Sequence, residues 1–543
     1  MQKPEVFVRA KSGLVRVMSV HDALIFNLVT ISFFSASLFA FQMAPAVFPG
    51  ANLPAAFILT IICTAPLYLG YALLAASYPR SGGDYVFLSR LVHPAMAFVA
   101  TFAAWVFWQW WYQGSFPLQI YWQSVAPYLT KLAYYTGSTS LMGISNALVN
   151  PDVAIVFGIV VIAIALLLAL PGLRFYIKVQ RVMFVAALLA VASIIYMLVT
   201  TNPTSFASSF NSIEASVTGN NTDWYNLVVQ TAQGAGYAPG AFSWSQTLYT
   251  IPICMMCLGY GFWSIMLMGE IKEAKVSKLQ IYSIYGSVVF SGLFFALIGL
   301  LLTRVGTLFF NSLFYLYYNG NPLIGQMAIT PSYVGIAMMA SNNVILDTLL
   351  AVGTALNVFN LMILMFIVGS RVMFAQSMDR ILPQKLGELG KRFITPINAM
   401  LVYAVGSIAW LIPAAMYPTA IYYFTAVVLG VVFAYLLVGI ATAVFPYRAK
   451  AVHDSMPFGK YKVGGIPLTT ILGILNTAFC LFLIYCFISV PALALSSPAY
   501  PWNLIFVLGV YVLLFVYYYA NRWYKKRTLG YDIELAFKEV PPE

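Results

Sequence analysis

Charged side chains are scarce in this sequence. Asp, Glu, Lys and Arg make up 8% of the 543 residues, whereas hydrophobic residues make up 61%. A soluble domain carries about 25% charged residues, so the composition excludes an ordinary soluble protein. Three long stretches, 23–79, 393–447 and 463–521, contain no charged residue at all. The sequence therefore indicates a polytopic membrane protein.

Histidine and cysteine are also rare, with three and five copies. The histidines fall at predicted helix ends or in inner loops, and the sequence has no HExxH motif, nucleophile elbow or paired intramembrane carboxylates. Cys254 and Cys257 form a single CxxC, but no second pair or nearby histidine completes a metal site. We therefore expect that the protein is not an enzyme and that it binds neither a metal ion nor a resident cofactor.

Each charge-free stretch is too long for one membrane crossing. A hydrocarbon core about 30 Å thick needs roughly 20 helical residues, so each stretch should hold two helices joined by an outer turn. The turns are rich in Pro, Gly, Asn or Ser and lie at 49–54, 413–418 and 496–501. Adding the other apolar segments predicts an all-α protein with twelve spans, numbered 1 to 12 here: 22–48, 53–77, 94–128, 152–171, 180–200, 247–269, 279–305, 345–372, 395–414, 418–446, 467–491 and 501–521.

The positive charges indicate how these spans are oriented. With both termini on the cytoplasmic side, the inner segments hold 26 of the 28 lysines and arginines, and only Lys131 and Arg304 lie outside. This agrees with the positive-inside rule and predicts a multi-pass protein of the cell (cytoplasmic) membrane. The net charge of +12 then reflects topology and anionic lipid, so no nucleic-acid partner is expected. Segments 201–246 and 306–344 become long outer connections, and we expect short surface helices in the second.

Span 6 is interrupted near its middle by Gly259-Tyr260-Gly261. Glycine is unfavourable in a helix and lets another backbone or a ligand approach closely. Small residues also allow tight packing between membrane helices, and this is one interpretation of the two glycines. The other reading is a broken helix that forms a binding site, because a freed backbone group at membrane depth must face protein or a wet cavity.

The connection between spans 2 and 3 supplies the most specific motif, Tyr78-Pro79-Arg80-Ser81-Gly82-Gly83-Asp84-Tyr85. It resembles the inner-loop signature of the amino acid–polyamine–organocation (APC) permeases. Further stretches resemble the same family in the same order: Val20-His21-Asp22-Ala23, Gly269-Glu270-Ile271-Lys272, Gly369-Ser370-Arg371, Thr395-Pro396-Ile397 and the tail from Gly530 to Glu543. The resemblance therefore extends over the whole chain.

The resemblance implies a leucine-transporter type of fold within a single transport domain, 1–543. Two inverted repeats of five helices would cover about 20–200 and 247–447, followed by two appended helices in 467–521. Helices 1 and 6 would be unwound at mid-membrane. This favours the binding-site reading of span 6 and places Gly259, Tyr260, Gly261 and Phe262 at the substrate.

Span 1 departs from the family pattern. The family usually carries a glycine–serine–glycine run whose backbone N–H groups receive the substrate carboxylate. The aligned residues contain no glycine and are predicted as substrate-binding: Ser32, Phe33, Phe34, Ser35, Ala36 and Ser37. Serine hydroxyls can partner freed backbone groups, so unwinding stays plausible, and ordinary small-residue packing is the alternative.

The coupling ion is left open between Na⁺ and H⁺. Proton-coupled members of the family can use a lysine in helix 5, and Ala187 occupies that position here. Thr354, Asn357 and Asn360 in span 8 offer oxygen ligands for Na⁺, or they bond across helices. Trp108 belongs to an aromatic stripe in span 3 that either lines the pocket or packs.

The sequence predicts a secondary active transporter of amino acids. Inside the inner helix ends the spans carry almost no ionisable residue, with Asp22 and Glu270 at inner ends and Asp152 and Asp347 near outer ends. A cationic substrate should require a pocket carboxylate, whereas a zwitterion can use helix termini and free carbonyls. We therefore expect a neutral amino acid. The alternatives are an exchanger, a polyamine or cationic amino acid transporter of the same fold, or a nutrient sensor; the oligomeric state stays open.

Overall fold

The computed structural model describes residues 13–35, 37–138, 140–417, 424–490, 493 and 502–537, and only the backbone of 424–427 and 503. The predicted outer turns at 413–418 and 496–501, and the last six residues of the tail, lie wholly or partly outside this range. Within it the chain is almost entirely helical, as its apolar composition predicts.

The helices are numbered in chain order. Their bounds are α1 Val20–Ile31, α2 Ser37–Val47, α3 Leu53–Ser77, α4 Asp84–Leu91, α5 Pro94–Phe102, α6 Trp108–Ile120, α7 Ala126–Thr136, α8 Ser140–Val149, α9 Pro151–Ala169, α10 Leu173–Val199, α11 Pro203–Thr218, α12 Trp224–Gly234, α13 Trp244–Tyr249, α14 Ile251–Leu258, α15 Ser277–Leu302, α16 Thr307–Tyr318, α17 Tyr333–Met339, α18 Val344–Met378, α19 Ile397–Met416, α20 Phe424–Arg448, α21 Lys450–Ser455, α22 Leu468–Ser489 and α23 Trp502–Thr528. Two short antiparallel strands, β1 Lys462–Val463 and β2 Ile466–Pro467, form a hairpin before α22.

Nine helices of the described chain are long and apolar enough to cross a membrane. They correspond to predicted spans 2, 4, 5, 7, 8, 9, 10, 11 and 12, mostly with ends within a few residues of the predicted ones. Spans 5, 8 and 12 run further at one end, so that α10 begins at Leu173, α18 ends at Met378 and α23 ends at Thr528. The chain is therefore an all-α, multi-pass membrane protein.

The three remaining predicted spans are interrupted. Span 1 is divided into α1 and α2, and span 6 into α13, α14 and two short 3₁₀ turns, Trp263–Met266 and Met268–Glu270. Span 3 is helical throughout, but π-turns at Ala103–Phe107 and Tyr121–Val125 separate α5, α6 and α7. π-turns widen a helix locally and are frequent at functional sites.

The predicted end of span 3 is corrected by the structure. We expected it near residue 128, whereas α7 continues to Thr136 and stops at Gly137, whose φ is +64°. Residues 128–136 contain no helix breaker, and a left-handed glycine is a common helix stop. The extension brings Lys131 into the protein interior, where it pairs with Asp347.

The outer connections are structured. The second contains α16, α17 and a 3₁₀ turn, so helices form there as expected. Every residue of α17 is buried, however, which corrects the expectation that this helix lies at the surface. The first contains α11 and α12, which the sequence reading did not predict. Both connections meet at Glu214 of α11, whose carboxylate accepts hydrogen bonds from the backbone N–H groups of Ala328 and Ile329 at 2.7 and 3.1 Å.

Helix α18 is the central element of the packed core. It is 35 residues long, most of its side chains are buried, and it contacts α6, α9, α10 and α19. Helix α15 packs along α3, and α20 packs along α22. The two divided spans lie among these helices, because α1 contacts α10, α15 and α18 and α14 contacts α2, α3 and α15.

Candidate functional site

The break in span 1 begins at Ser32. Its backbone has φ +53°, although its N–H still bonds to the Leu28 carbonyl of α1 at 3.1 Å. The Ser32 hydroxyl accepts from the N–H of Ser35 at 3.1 Å and donates to the side-chain oxygen of Asn357 at 2.6 Å. A single hydroxyl therefore partners a freed backbone donor and links the break to α18, as hydroxyl side chains near a chain break commonly do.

The other described residues of this break are buried among neighbouring helices. Phe33 packs edge-on against Phe294 of α15 with ring centres 5.0 Å apart, and Phe34 stacks on Tyr333 of α17 at 6.4 Å. Ser35 donates to Gln119 at 2.8 Å. The Ser37 hydroxyl donates to the Phe33 carbonyl at 2.8 Å. Ala36, also predicted as substrate-binding, lies outside the described residues.

Four consecutive carbonyls lie at the break in span 6, and a hydroxyl from a different helix donates to each. The Tyr260 carbonyl also accepts from the backbone N–H of Phe262 at 2.8 Å. Tyr68 of α3 donates to Leu258. Tyr435 of α20 donates to Gly259 at 2.5 Å, Thr30 of α1 to Tyr260 at 2.8 Å and Ser287 of α15 to Gly261 at 3.1 Å. Unsatisfied backbone groups cost several kcal/mol in a membrane, so these four donors make the interruption possible.

Gly261 is required by close packing. A Cβ built there would lie 2.6 Å from Val288 Cγ2 and 2.9 Å from Ile31 Cδ1. Real Cβ atoms do not make such contacts, so a side chain at this position would require Val288 of α15 or Ile31 of α1 to shift. The packing reading and the binding-site reading of the glycines are therefore compatible, because Gly261 packs tightly and lies within the break.

Asn27 of α1 fastens the two broken helices to each other. Its side-chain oxygen accepts from the N–H of Ser264 at 2.9 Å, just after the break in span 6. Its side-chain NH₂ donates to the Ser264 hydroxyl at 3.0 Å and to the Ser283 carbonyl at 2.9 Å. These hydrogen bonds, together with the one from Thr30 to Tyr260, place the breaks in spans 1 and 6, the two predicted halves of the site, next to each other.

Aromatic side chains surround the break in span 6. Phe262 stacks on Tyr71 of α3 with ring centres 3.9 Å apart, and Trp105 meets it edge-on at 5.3 Å. The Tyr260 hydroxyl donates to the Tyr112 hydroxyl at 3.3 Å. All of these rings are buried.

The sequence did not predict the linking residue Asn27 or any of the four donors, Tyr68, Tyr435, Thr30 and Ser287. Each is a polar group in the middle of an apolar span, where a buried hydroxyl or amide must find a partner. That requirement could have marked these residues as important, although it could not have named the partners.

The predicted ion or pocket residues of span 8 occupy different surroundings. Asn357 reaches the break through Ser32, whereas Asn360 accepts from Tyr176 at 2.9 Å and donates to the Gln180 carbonyl at 3.4 Å. The hydroxyl of Thr354 and the side-chain NH₂ of Asn357 have no hydrogen-bond partner among the described residues. Thr354 lies three residues before Asn357 on α18, so the two groups lie on the same face of that helix.

Trp108 lies on the other side of span 3. Its ring packs edge-on against Phe506 of α23 at 5.5 Å, and a Cβ on Gly430 of α20 would collide with it. The tryptophan therefore extends from the start of α6 and packs against α20 and α23. Trp105, one turn earlier on the stripe, is the tryptophan that contacts Phe262.

Ion pairs lie at the predicted inner ends of both broken spans; Asp22, Glu270 and Arg371 are buried, whereas the Arg181 side chain is exposed. Arg181 of α10 binds Asp22 of α1 at 2.8 and 3.0 Å. Arg371 of α18 binds Glu270 at 2.9 and 3.2 Å. Asp347, at the start of α18, pairs with Lys131 at 3.7 Å and accepts from Tyr135 at 2.7 Å. These three carboxylates therefore have cationic partners.

Backbone bridges also join segments at the predicted inner side. Met18 pairs with Ile271 in a parallel bridge, and the N–H of Lys272 donates to the Met18 carbonyl at 2.8 Å. Ser81 pairs with Leu267 in an antiparallel bridge, and the N–H of Gly82 donates to Met266 at 3.0 Å. The inner halves of spans 1 and 6 and the glycine motif thus form one connected unit.

Two cavities lie toward the ends of the broken spans in the described part of the chain. One of about 240 Å³, on the predicted outer side, is lined by residues of α2, α15 and α16, including Phe41 and Asn311. The other, also about 240 Å³ and on the predicted inner side, is lined by residues that include Val17, Arg174 and Glu270.

Comparison with known proteins agrees with the resemblance in the sequence. A family model described as amino acid permease matches residues 23–516. No curated protein matches the chain. The family match includes both breaks, the glycine motif and the helices that donate to the span 6 carbonyls. The chain therefore belongs to the amino acid permeases of the APC superfamily, which are membrane transporters of small-molecule substrates.

Proposed function

We propose that the protein is a secondary active transporter of neutral amino acids in the cell membrane. The observation that carries this proposal is the meeting of two interrupted helices, joined by Asn27 and Thr30 across Ser264 and Tyr260. Discontinuous helices place backbone dipoles and free polar groups at mid-membrane, where a zwitterion can bind them. The free hydroxyl of Thr354 and the free NH₂ of Asn357 add side-chain groups nearby.

The proposed architecture has twelve spans in two inverted repeats of five, with two further helices after them. Each proposed repeat begins with a divided helix, α1–α2 at one end of 20–200 and α13–α14 at the start of 247–447. Both termini would be cytoplasmic, as the lysine and arginine distribution predicts. The whole chain would form one transport domain.

The proposed preference for neutral substrates rests on the charges near the breaks. Asp22, Glu270 and Asp347 are each neutralised by Arg or Lys, so they cannot serve a cationic substrate without losing their partners. Asp84 lacks such a partner, but its oxygens are bound by Trp105 and Tyr71, whose rings separate it from the break. A cationic side chain in the site would therefore lack a counter-charge.

Alternating access would require the inner ion pairs to open. Asp22 and Glu270 are on the broken spans, whereas Arg181 and Arg371 are on the long unbroken helices α10 and α18. The Met18–Ile271 bridge would make the inner halves of spans 1 and 6 move together. Their movement away from α10 and α18 would extend the inner cavity toward the break.

Uptake into liposomes tests the proposal. The purified full chain is reconstituted, and accumulation of labelled leucine, phenylalanine, alanine, arginine, lysine and putrescine is measured with imposed proton or sodium gradients. We expect the liposomes to accumulate neutral amino acids, and we expect that a cationic competitor does not inhibit this uptake. Preferential uptake of arginine, lysine or putrescine contradicts the neutral preference. Binding without accumulation or exchange indicates a sensor and contradicts transport, whereas exchange without net uptake identifies an exchanger.

A further inference from the structure

Asp84 of the glycine motif is a buried carboxylate beside the break in span 6. It is the first residue of α4 and is fully inaccessible to solvent. The Trp105 indole N–H donates to its two oxygens at 3.0 and 2.8 Å, and the Tyr71 hydroxyl donates to one of them at 3.2 Å. The motif residue is therefore bound by side chains of α3 and of the span 3 helix.

The two preceding glycines allow this placement. Gly82 and Gly83 have φ of +110° and +62°, a region that favours glycine. A Cβ on Gly83 would collide with the Met266 side chain, and one on Gly82 with Ala375 of α18. The loop thus lies directly against the inner half of span 6, and Asp84 enters the protein at that point.

No cation neutralises Asp84 among the described residues. Arg90, on the same short helix, lies 3.5 Å from Asp379, the residue that follows α18, and Tyr85 donates to that same carboxylate at 2.8 Å. Arg371 of α18 is bound by Glu270. Arg448 of α20 donates to the carbonyls of Leu91 and Val92, and Tyr435 donates to Gly259. Tyr71 is therefore the one titratable side chain of the described chain that contacts the Asp84 carboxylate.

Burial makes the ionised form of Asp84 costly. Desolvation raises the pKa of this carboxyl from 3.8 to about 7, while the hydrogen bonds from Trp105 and Tyr71 act in the opposite direction. Both protonation states are thus accessible near neutral pH. A proton there changes the number of hydrogen bonds that the group can accept, because a protonated oxygen becomes a donor.

The two donors to Asp84 are the rings that hold Phe262. Tyr71 stacks on Phe262 with centres 3.9 Å apart and planes inclined by 10°, and Trp105 meets the same ring at 5.3 Å and 72°. If Asp84 takes up a proton, at least one of the hydrogen bonds that it accepts from Trp105 or Tyr71 must weaken, because the protonated oxygen becomes a donor. A ring that shifts in response changes its contact with Phe262, which forms part of the break.

We propose that Asp84 is a proton-binding positioning residue that couples the substrate site to pH through Tyr71, Trp105 and Phe262. This proposal rests on the proposed function. The proton comes from water and returns to water, and no other group need change its charge. By reciprocity, substrate binding must change the proton occupancy of Asp84 as much as protonation changes substrate affinity.

The test compares two buried carboxylates. Binding of leucine to the purified full chain in nanodiscs is measured from pH 5.5 to 8.5 for the wild type, Asp84→Asn and Glu214→Gln. Glu214 is the matched control, because burial raises its pKa to about 7 as well, but its hydrogen-bond partners are in the second outer connection. We expect the wild-type and Glu214→Gln affinities to change at least threefold across this range, and the Asp84→Asn affinity to change less than 1.5-fold.

A second measurement keeps the proposal testable if Asp84→Asn does not fold. Tyr71→Phe retains the ring on Phe262 but removes the hydroxyl that binds Asp84, and we expect it to shift the midpoint of the pH dependence. If the leucine affinity of both variants depends on pH as in the wild type, or if the wild-type affinity does not depend on pH, Asp84 has no coupling role. Absence of leucine binding at every pH, together with no uptake of any amino acid in the liposome panel, contradicts the proposed function instead.

Discussion

The Ser32 hydroxyl donates a 2.6 Å hydrogen bond to the side-chain oxygen of Asn357, 325 residues further along the chain. This bond joins the break in span 1 to the longest helix of the described chain, α18. The same hydroxyl accepts from the N–H of Ser35, a donor that the break leaves without a helical partner. Ser32 thus supplies hydrogen bonds both to the broken backbone of span 1 and to α18.

Two substitutions of Ser32 should separate the effect of backbone strain on stability from the effect of losing the hydroxyl. Ser32→Ala removes both hydrogen bonds and keeps a side chain at φ +53°, a conformation that costs about 1–3 kcal/mol for non-glycine residues. Ser32→Gly removes the same bonds but relieves the strain. We expect both variants to transport more slowly, with Ser32→Ala the less stable. Apparent Tm in detergent and initial uptake rates measure this, and equal stability of the two would contradict strain at Ser32.

Gly261→Leu should abolish substrate binding while the protein still inserts into the membrane. The side chain has no space between Val288 and Ile31, and the break would be filled or displaced. Equilibrium binding and size-exclusion chromatography measure the two effects. Gly286→Ala on α15 is the control, because a Cβ there would lie 3.9 Å from its nearest neighbour, an ordinary contact. Normal transport by Gly261→Leu would show that the site assignment is wrong.

Ala187→Lys should impair transport. Ala187 is fully buried in α10, and a charged side chain deep in a membrane protein costs at least about 2.5–3.5 kcal/mol even on lenient scales. Because the chain carries no lysine here, transport should not depend on protonating this position. Ala187→Met separates the effect of size from that of charge. An unchanged or faster proton-driven rate in the lysine variant would contradict the prediction.

Glu214 should make stability depend on pH. Its folded-state pKa, raised by burial to about 7, exceeds the ordinary value of 4.5. The folded chain therefore binds this proton more tightly than the unfolded chain, so stability should fall as pH rises from about 4.5 to 7 and stay level above that. Comparison of Tm at pH 5.5 and 8 should show a larger loss in the wild type than in Glu214→Gln. Identical losses would mean that Glu214 titrates normally.

The sequence by itself determined the elements that depend on local composition. Apolar length and absence of charge set the bounds of spans such as 53–77, found as Leu53–Ser77, because a helix in lipid must satisfy its own backbone. The paired glycines marked the break in span 6. The glycine–aspartate motif and the other family stretches indicated the permease family, which the match over 23–516 confirms.

The tertiary structure alone decided which groups stabilise that break and which charges are neutralised. Tyr68, Tyr435, Thr30 and Ser287 come from four different helices, and no local pattern specifies that they converge on residues 258–261. Asp84 is a motif residue in the sequence, but its burial without a cation follows from the packing of α3, α4 and the span 3 helix. Such contacts depend on how distant segments pack, and one-dimensional periodicity carries no record of that packing.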